Sequence, residues 1–401
     1  MADQPRPTPP DERIVSLDVL RGFALLGILL INVRAFGMPE ATLSNPTAYG
    51  DLSGLNYAVW LGTHVFAEGK FITLFTVMFG AGIVLFTEKK REKGQDAIGL
   101  HYRRTAWLVV IGVAHAYLLW YGDILYSYGV CGLVFVGLRT VSPRRQVALG
   151  LALLAVPSVL EVIAGLTLGA EAFAGSWAPS QAAVQSEIAT YRGGWIEQLS
   201  HRVPNSFNRQ TLGFLSASFW RISGAMLLGM ALYRTGVLTN GRSTRFYRRL
   251  ALGGGLGGLA VILAGVAYAQ PAGFSAAVAP FWRQFNYWGA LLLAGGYVGA
   301  VMLFCRWRAD GPIATALSAV GRTALSNYLL QTVLATTIFY GHGLGLFGRL
   351  ERIELLGVVA VIWAVQIPLS VLWLRYFLFG PVEWVWRTLT YGSRQPLVRR
   401  E

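Results

Sequence analysis

His64 and Glu68 have the spacing of a general base and a carboxylate that orients it. Residues four apart lie one turn apart on a helix, so the carboxylate can hold one imidazole tautomer and raise the basicity of the ring. Lys70 follows two residues later and adds a positive charge to this region. An interfacial histidine beside a Glu–Lys pair at a membrane surface would have the same sequence, so a structural role stays open.

A second polar group follows one face of the first apolar segment. Asp18 and Arg21 are three residues apart, hence neighbours on a helix, and Asp18 lies near its positive N-terminal end. Asn32 follows Arg21 by eleven residues, close to three full turns, so the two share a face about 16 Å apart along the axis. Charged groups in a bilayer are costly. The stripe therefore predicts either a functional polar path or a structural ion pair.

His115 and Asp123 form a third polar region, with Trp120 between them. An imidazole within a membrane needs a partner, and either Asp123 or a backbone carbonyl between packed helices would serve. We predict catalytic roles for His64, Glu68, His115 and Asp123. We predict substrate binding by Asp18, Arg21, Asn32, Arg34, Lys70, Trp120, Arg221 and His342.

The elements that position these side chains are predicted to be transmembrane helices. Of the 401 residues, 54% are hydrophobic and 13% charged, against about 25% charged in a typical soluble domain. Apolar runs of about 20 residues recur along the chain, long enough to cross a bilayer core. The sequence predicts an all-α, polytopic integral membrane protein with about ten transmembrane helices and short interfacial helices. The predicted spans lie near residues 19–37, 71–87, 105–121, 124–138, 146–168, 212–233, 250–270, 285–305, 323–340 and 354–376.

The charge distribution predicts the orientation of these spans. The formal net charge is +14, and Lys and Arg concentrate in alternate connections, around residues 88–104, 139–145, 234–249, 306–322 and in the C-terminal tail. This positive-inside bias predicts both termini in the cytoplasm and a multi-pass protein of the bacterial cytoplasmic (inner) membrane. The basic loops are then partners of anionic membrane lipids, not of nucleic acid.

The remaining segments flank or cover one domain. Residues 1–12 are Pro-rich and polar, which predicts a disordered tail; residues 13–376 form a single transmembrane domain, and residues 377–401 a cytoplasmic interfacial tail. The aromatic-rich connection at about 169–211 predicts an extracytoplasmic cap, beneath which the predicted outer polar residues would form a site. Cys131 and Cys305 are isolated, and no histidine has metal-ligand spacing, so neither a disulfide nor a metal site is predicted.

Several blocks resemble one family of bacterial membrane proteins. They are Ser16 to Asn32 (SLDVLRGFALLGILLIN), Glu68 to Gly82 (EGKFITLFTVMFGAG), His115 to Tyr128 (HAYLLWYGDILYSY), Tyr191 to Arg202, Gly321 to Gly348 and Gly380 to Gly392. Together they resemble the YeiB-like family (domain of unknown function 418), and the resemblance covers nearly the whole chain. That family has no agreed activity, so the resemblance implies a fold rather than a reaction.

A more distant resemblance implies a reaction. The opening Leu17-Asp18-x-x-Arg21-Gly22, with a polar residue eleven positions after the Arg, is similar to transmembrane acyltransferases. These include O-acetyltransferases of surface polysaccharides, which have His at that later position, and heparan glucosaminide N-acetyltransferases, which have Asn there, as Asn32 here. In the second group a histidine in the outer loop is the proposed base, and by position His64 would correspond.

The resemblance implies transfer of an acyl group from cytoplasmic acyl-CoA, a co-substrate rather than a permanently bound cofactor, to an extracytoplasmic hydroxyl or amine. The acceptor would be a small molecule or a component of the cell envelope. Two other readings stay open: a proton-coupled transporter of a small solute, with Asp123, Glu161 or His115 as proton carriers, and a non-catalytic membrane scaffold or sensor. No paired repeats typical of transporters are visible. The oligomeric state also stays open, a dimer included.

Overall fold

The computed structural model of the protein describes residues 13–399, so the predicted disordered tail at 1–12 lies outside the described residues. Within that range the fold is helical throughout, and its only β feature is an isolated bridge between Phe377 and Val398. The all-α prediction is confirmed.

The α-helices of the described residues are numbered here in chain order. The first eight are α1 (Val15–Gly37), α2 (Gly54–Phe66), α3 (Lys70–Glu92), α4 (Ala97–Leu118), α5 (Leu125–Phe135), α6 (Pro143–Leu168), α7 (Glu171–Trp177) and α8 (Gln181–Arg192). The others are α9 (Leu199–Gln210), α10 (Phe219–Arg234), α11 (Thr244–Ala269), α12 (Ala279–Arg308), α13 (Pro312–Arg322), α14 (Ala324–Phe339), α15 (Arg352–Tyr376) and α16 (Pro381–Tyr391).

Seven helical segments among residues 13–399 are long and apolar enough to cross a membrane. They comprise α1, α2 with α3, α6, α9 with α10, α11, α12 and α15. The protein is therefore a helical multi-pass membrane protein. The outer surfaces of α6 and α15 are mostly exposed and apolar, for example at Leu160, Leu166 and Val361, as expected of helices that face lipid.

The predicted count of about ten spans is not confirmed. The predicted spans at 105–121, 124–138 and 323–340 correspond to α4, α5 and α14. The helices α5 and α14 have 11 and 16 residues, fewer than the roughly 20 that a bilayer core requires. The helix α4 has 22 residues, but His101, Arg103 and Arg104 lie in its first half. By length and composition, these three helices are not among the seven segments of residues 13–399 that are long and apolar enough to cross a membrane.

The helix α1 lies at the centre of the bundle and packs against α3, α12, α13, α14 and α15. Its contact with α13 depends on two glycines: a Cβ on Gly22 would lie 1.9 Å from the carbonyl oxygen of Leu317, and one on Gly321 would lie 1.9 Å from that of Asp18. Backbone approaches backbone at this point. The contact fixes the neighbouring residues Arg21 and Arg322 at the same end of the bundle.

A tight turn joins α2 to α3 and holds Glu68 between them. The turn closes at Gly69, whose φ of +83° belongs to the left-handed region that favours glycine. A Cβ at this position would also meet Ala290 at 3.1 Å and the Arg221 guanidinium at 3.3 Å. Glycine therefore serves both the turn and the close approach of α10 and α12.

The predicted cap corresponds to α7, α8 and α9, which pack onto the loops at one end of the bundle. Arg192 Nε donates to the Phe347 carbonyl at 2.8 Å, and Trp195 Nε1 donates to the Leu118 carbonyl at 2.8 Å. The Glu187 carboxylate accepts the Glu40 N–H at 2.9 Å, and burial raises the pKa of Glu187 to about 7. We call this the cap end, and the opposite end, which carries the Lys- and Arg-rich connections, the basic end.

The helix α16, which lies in the predicted cytoplasmic interfacial tail, packs against α4 and α14 as a wall of the bundle. Glu383 Oε1 accepts the Leu325 and Ser326 N–H groups at 2.6 and 3.1 Å, which caps the start of α14. Trp386 Nε1 donates to the Arg104 carbonyl at 2.7 Å. An amphipathic helix of this kind has the same sequence pattern whether its apolar face meets lipid or protein.

Candidate functional site

A cavity of about 480 Å³ extends along α1 between the two ends of the bundle. Arg21 and Asn32 both line it, as their eleven-residue spacing predicts, and they lie about 16 Å apart along the helix axis. At the cap end the cavity reaches Ala67 and Gly69, the residues on either side of Glu68. The polar stripe of α1 is therefore one wall of a cavity.

At the basic end, six cationic side chains from five helices line the cavity. We call this set the basic mouth: Arg21, Lys89, Lys90, Arg104, Arg322 and Arg387. Arg104 is held between two aromatic rings, 4.9 Å from the centre of Phe86 and 4.5 Å from that of Trp386. Between the basic mouth and the cap end the cavity wall is apolar, formed by side chains that include Leu25, Ile28, Phe71, Ile72, Phe75, Met78, Phe79 and Leu125.

Beside the cap end of the cavity lies the predicted imidazole–carboxylate pair. His64 Nδ1 is 3.3 Å from Glu68 Oε2, and Arg34 donates to the same oxygen at 3.2 Å. The His64 side chain is 2% exposed and the Arg34 side chain 6%, whereas Glu68 retains 26%. When Nδ1 carries the proton and donates to Glu68, the lone pair of Nε2 is basic, and Nε2 has no hydrogen-bond partner within residues 13–399.

Neighbouring groups hold the His64–Glu68 pair in place. The His64 ring stacks on Trp60 with centroids 5.3 Å apart and contacts Trp282 at the same separation. Buried Lys70 donates to the His64 carbonyl at 2.6 Å and to Asn286 Oδ1 at 2.5 Å. Lys70 thus ties the end of α2 to α12, and these contacts support a positioning role for Lys70 more directly than contact with substrate.

The second predicted pair, His115 and Asp123, lies outside the wall of this cavity. His115 Nδ1 is 2.8 Å from Asp123 Oδ1, and Nε2 is 3.0 Å from the Thr332 hydroxyl. Asp123 Oδ2 also accepts the Tyr126 N–H at 2.8 Å. Both imidazole nitrogens are occupied and the histidine is 2% exposed, so the pair joins the α4–α5 connection to α14 within the core.

The remaining predicted residues are divided between the ends. Asp18 forms an ion pair with Arg21 at 2.9 Å at the basic end. Trp120 is buried against Phe36, with ring centroids 4.0 Å apart, and lies in the core near His115. Arg221 lies over the Tyr287 ring beside Gly69. His342 lies under the cap, largely exposed and 3.5 Å from Gln198, and its partial burial, followed by the charge of Arg202, lowers its pKa.

The sequence did not single out Asn286 or the five cationic residues from α3, α4, α13 and α16 that complete the basic mouth. Asn286 is an amide within an otherwise apolar span, which is a usable signal. Arg104, Arg322 and Arg387 occur in basic connections and tails, where the positive-inside bias already accounts for arginine. No sequence feature separates them from the other basic residues of those segments.

Comparisons with known proteins give relatives but no activity. A family model described as a protein of unknown function (DUF418) matches residues 232–393. The protein YeiB of Escherichia coli (strain K12) is 36% identical, over 97% of this chain and 99% of its own length. YxaH of Bacillus subtilis (strain 168) is 31% identical over 98% of each chain, and a 39.9 kDa protein of Bacillus acidopullulyticus is 25% identical over 98% and 97%.

Proposed function

The chain belongs to the YeiB-like DUF418 family, and we propose that it is a transmembrane acyltransferase. In this proposal an acyl group passes from cytoplasmic acyl-CoA to an extracytoplasmic hydroxyl or amine. The observation that carries it is the cavity, which joins a basic mouth to the surroundings of His64 and Glu68 through an apolar passage. This arrangement suits a donor with an anionic head and a long, weakly polar arm.

The proposal assigns each end of the cavity a part in one reaction. The basic mouth holds the anionic head on the cytoplasmic side, so the thioester lies near the cap end. The acceptor oxygen or nitrogen attacks the thioester carbonyl, the new C–O or C–N bond forms, and the C–S bond breaks. His64 Nε2 takes the acceptor proton, Glu68 stabilises the imidazolium, and the proton then passes to the leaving thiolate.

The proposal also requires a movement, because Trp60 and Trp282 enclose the His64 ring. The ring lies between α2 and α12, and an acceptor contacts Nε2 only when these helices separate on that side. Lys70, which bonds α2 to α12 through the His64 carbonyl and Asn286, would control this separation. The acceptor is then either a small molecule or a cell-envelope component at the outer surface of the inner membrane.

Proton-coupled transport would use the same cavity, but the positions of the candidate proton carriers favour it less than they favour the acyltransferase. The three side chains expected to carry protons, Asp123, His115 and Glu161, are absent from the cavity wall. Glu161 lies between α6 and α12, where it pairs with Arg283 at 2.8 Å and accepts from Gln284 at 3.0 Å. A role as scaffold or sensor makes no use of the cavity.

Acyl-CoA binding and transfer by the purified full chain in nanodiscs test the proposal. We expect saturable binding of acetyl-CoA. The substitution Arg21→Ala should weaken this binding by about tenfold, because one charge-assisted contact is lost. We expect His64→Ala to retain binding and to lose transfer to an acceptor amine or sugar. Arg308→Ala is the matched control, because Arg308 lies at the basic end but outside the cavity wall. Absence of binding, with solute-dependent proton flux in vesicles, would instead identify a transporter.

A further inference from the structure

The four arginines of the basic mouth, Arg21, Arg104, Arg322 and Arg387, outnumber the carboxylates that the described cavity wall contains. The six cationic residues of the basic mouth come from α1, α3, α4, α13 and α16 and converge on one end of the cavity. Among the described residues of the cavity wall, Glu383 is the one carboxylate. Asp18, just outside the wall, forms an ion pair with Arg21, and its charge also acts on Arg322.

Glu383 offers little compensation, because its oxygens are already used. Oε1 accepts two backbone N–H groups at the start of α14, and Oε2 accepts the Ser326 hydroxyl at 2.5 Å. Burial also raises the pKa of Glu383, which favours the neutral form. The carboxylate therefore anchors α16 to α14, and its charge offsets the repulsion around Arg387 only in part.

The arginines show the effect of this crowding. Burial and the charge of Arg13 lower the pKa of Arg322 to about 10. Burial, followed by the charges of Arg13 and Arg21, also lowers the pKa of Arg387. Like charges gathered at a partly buried site destabilise it unless an anion binds among them. Guanidinium groups from separate helices can contact separate oxyanions at the same time.

We propose that the basic mouth binds a diphosphate carried on an apolar or weakly polar chain, with the chain lying in the apolar passage of the cavity. This inference rests on the proposed function and deepens it by naming the chemistry of the donor's head group. Two sources have that chemistry: a water-soluble nucleotide thioester such as acyl-CoA, and a membrane lipid with a diphosphate head. Arg322 and Arg387 are assigned to the diphosphate, so α16 is a part of the site.

Calorimetric titration of the full chain in phosphatidylcholine nanodiscs tests the assignment, with pyrophosphate and inorganic phosphate as probes. We expect the protein to bind pyrophosphate at least about tenfold more tightly than phosphate. In the double variant Arg322→Gln/Arg387→Gln, the affinity for pyrophosphate should fall by at least about tenfold. Arg308→Gln should bind as the unmodified protein does. Equal affinity of the double variant and the unmodified protein, or no preference for pyrophosphate, would overturn the inference.

Arg322→Lys/Arg387→Lys guards against a folding artefact, because it retains the charge and loses the two-pronged geometry of guanidinium. If the Gln variant fails to fold, this variant should still bind pyrophosphate more weakly than the unmodified protein, and unchanged binding would overturn the inference.

Competition by acetyl-CoA and by geranylgeranyl diphosphate distinguishes the two sources. Competition by the lipid alone supports the site and contradicts the proposed donor. Acyl transfer that persists without any pyrophosphate site leaves the proposed function standing and overturns this inference.

Discussion

Gly22→Leu should prevent the protein from accumulating as a folded, monodisperse species in detergent. A side chain at this position would clash with backbone atoms of α13. The ideal Cβ position lies 1.9 Å from the Leu317 carbonyl oxygen and 3.1 Å from the Gly321 backbone nitrogen. Overpacking against side chains costs about 1–3 kcal/mol. The obstacle here is backbone, which no rotamer change removes, so we expect a cost above that range. Size-exclusion chromatography and thermal unfolding measure the effect.

Gly253→Leu is the matched control, because a Cβ at this position on α11 meets nothing within 4 Å. Both substitutions place leucine for glycine in a long apolar helix, so insertion into the membrane is favoured equally. Gly321→Leu should behave as Gly22→Leu, since its Cβ would lie 1.9 Å from the Asp18 carbonyl oxygen. Normal folding of Gly22→Leu would show that α1 and α13 are not in this contact.

Glu68→Ala should lower both the stability and the proposed activity. The substitution leaves Arg34, whose side chain is 6% exposed, without its carboxylate. Breaking a buried ion pair by removing one partner costs about 3–5 kcal/mol. His64 would also lose the carboxylate that selects its tautomer, and we expect acyl transfer to fall by about 10²–10⁴-fold. Thermal unfolding and transfer assays on the same preparation measure the two effects.

Glu161→Ala provides the comparison for stability. Its partner Arg283 has a side chain that is 46% exposed, so we expect a loss of about 0–1 kcal/mol. Glu68→Ala/Arg34→Met should recover part of the stability, because no unpaired charge stays buried, but none of the activity. Equal stability losses for Glu68→Ala and Glu161→Ala would contradict the burial of the Arg34–Glu68 pair.

The spacing of residues along the chain predicted the parts of the site that come from one helix or from one helix and its adjoining turn. Eleven residues separate Arg21 from Asn32, and both line the cavity. Four residues separate His64 from Glu68, and the side chains meet at 3.3 Å although α2 ends between them. For Arg21 and Asn32 the geometry follows from the helical repeat, which the amino-acid sequence displays directly. His64 and Glu68 instead meet across the start of the turn that joins α2 to α3.

Contacts between different helices do not follow from the spacing of residues along one helix. The sequence offered either Asp123 or a backbone carbonyl as the partner of His115, and the connection between α4 and α5 decides between them by bringing Asp123 within 2.8 Å. Thr332 and Asn286 join their clusters from helices more than 200 residues away. Apolar composition likewise predicted spans at α4, α5 and α14 but not their short length or polar content. For α16, the same amphipathic pattern fits a membrane surface and a protein surface.

In the proposed reaction, the acyl-CoA donor occupies the cavity between the basic mouth and the His64–Glu68 pair. Gly82 lines that cavity, and a Cβ on it meets nothing within 4 Å, so we expect the indole of a tryptophan at this position to extend into the passage. Acetyl-CoA binding by Gly82→Trp, compared with Gly253→Trp on the exposed side of α11, is the most direct test. We expect loss of acetyl-CoA binding in Gly82→Trp and full binding in Gly253→Trp. Equal binding by two folded variants would contradict donor binding in this cavity.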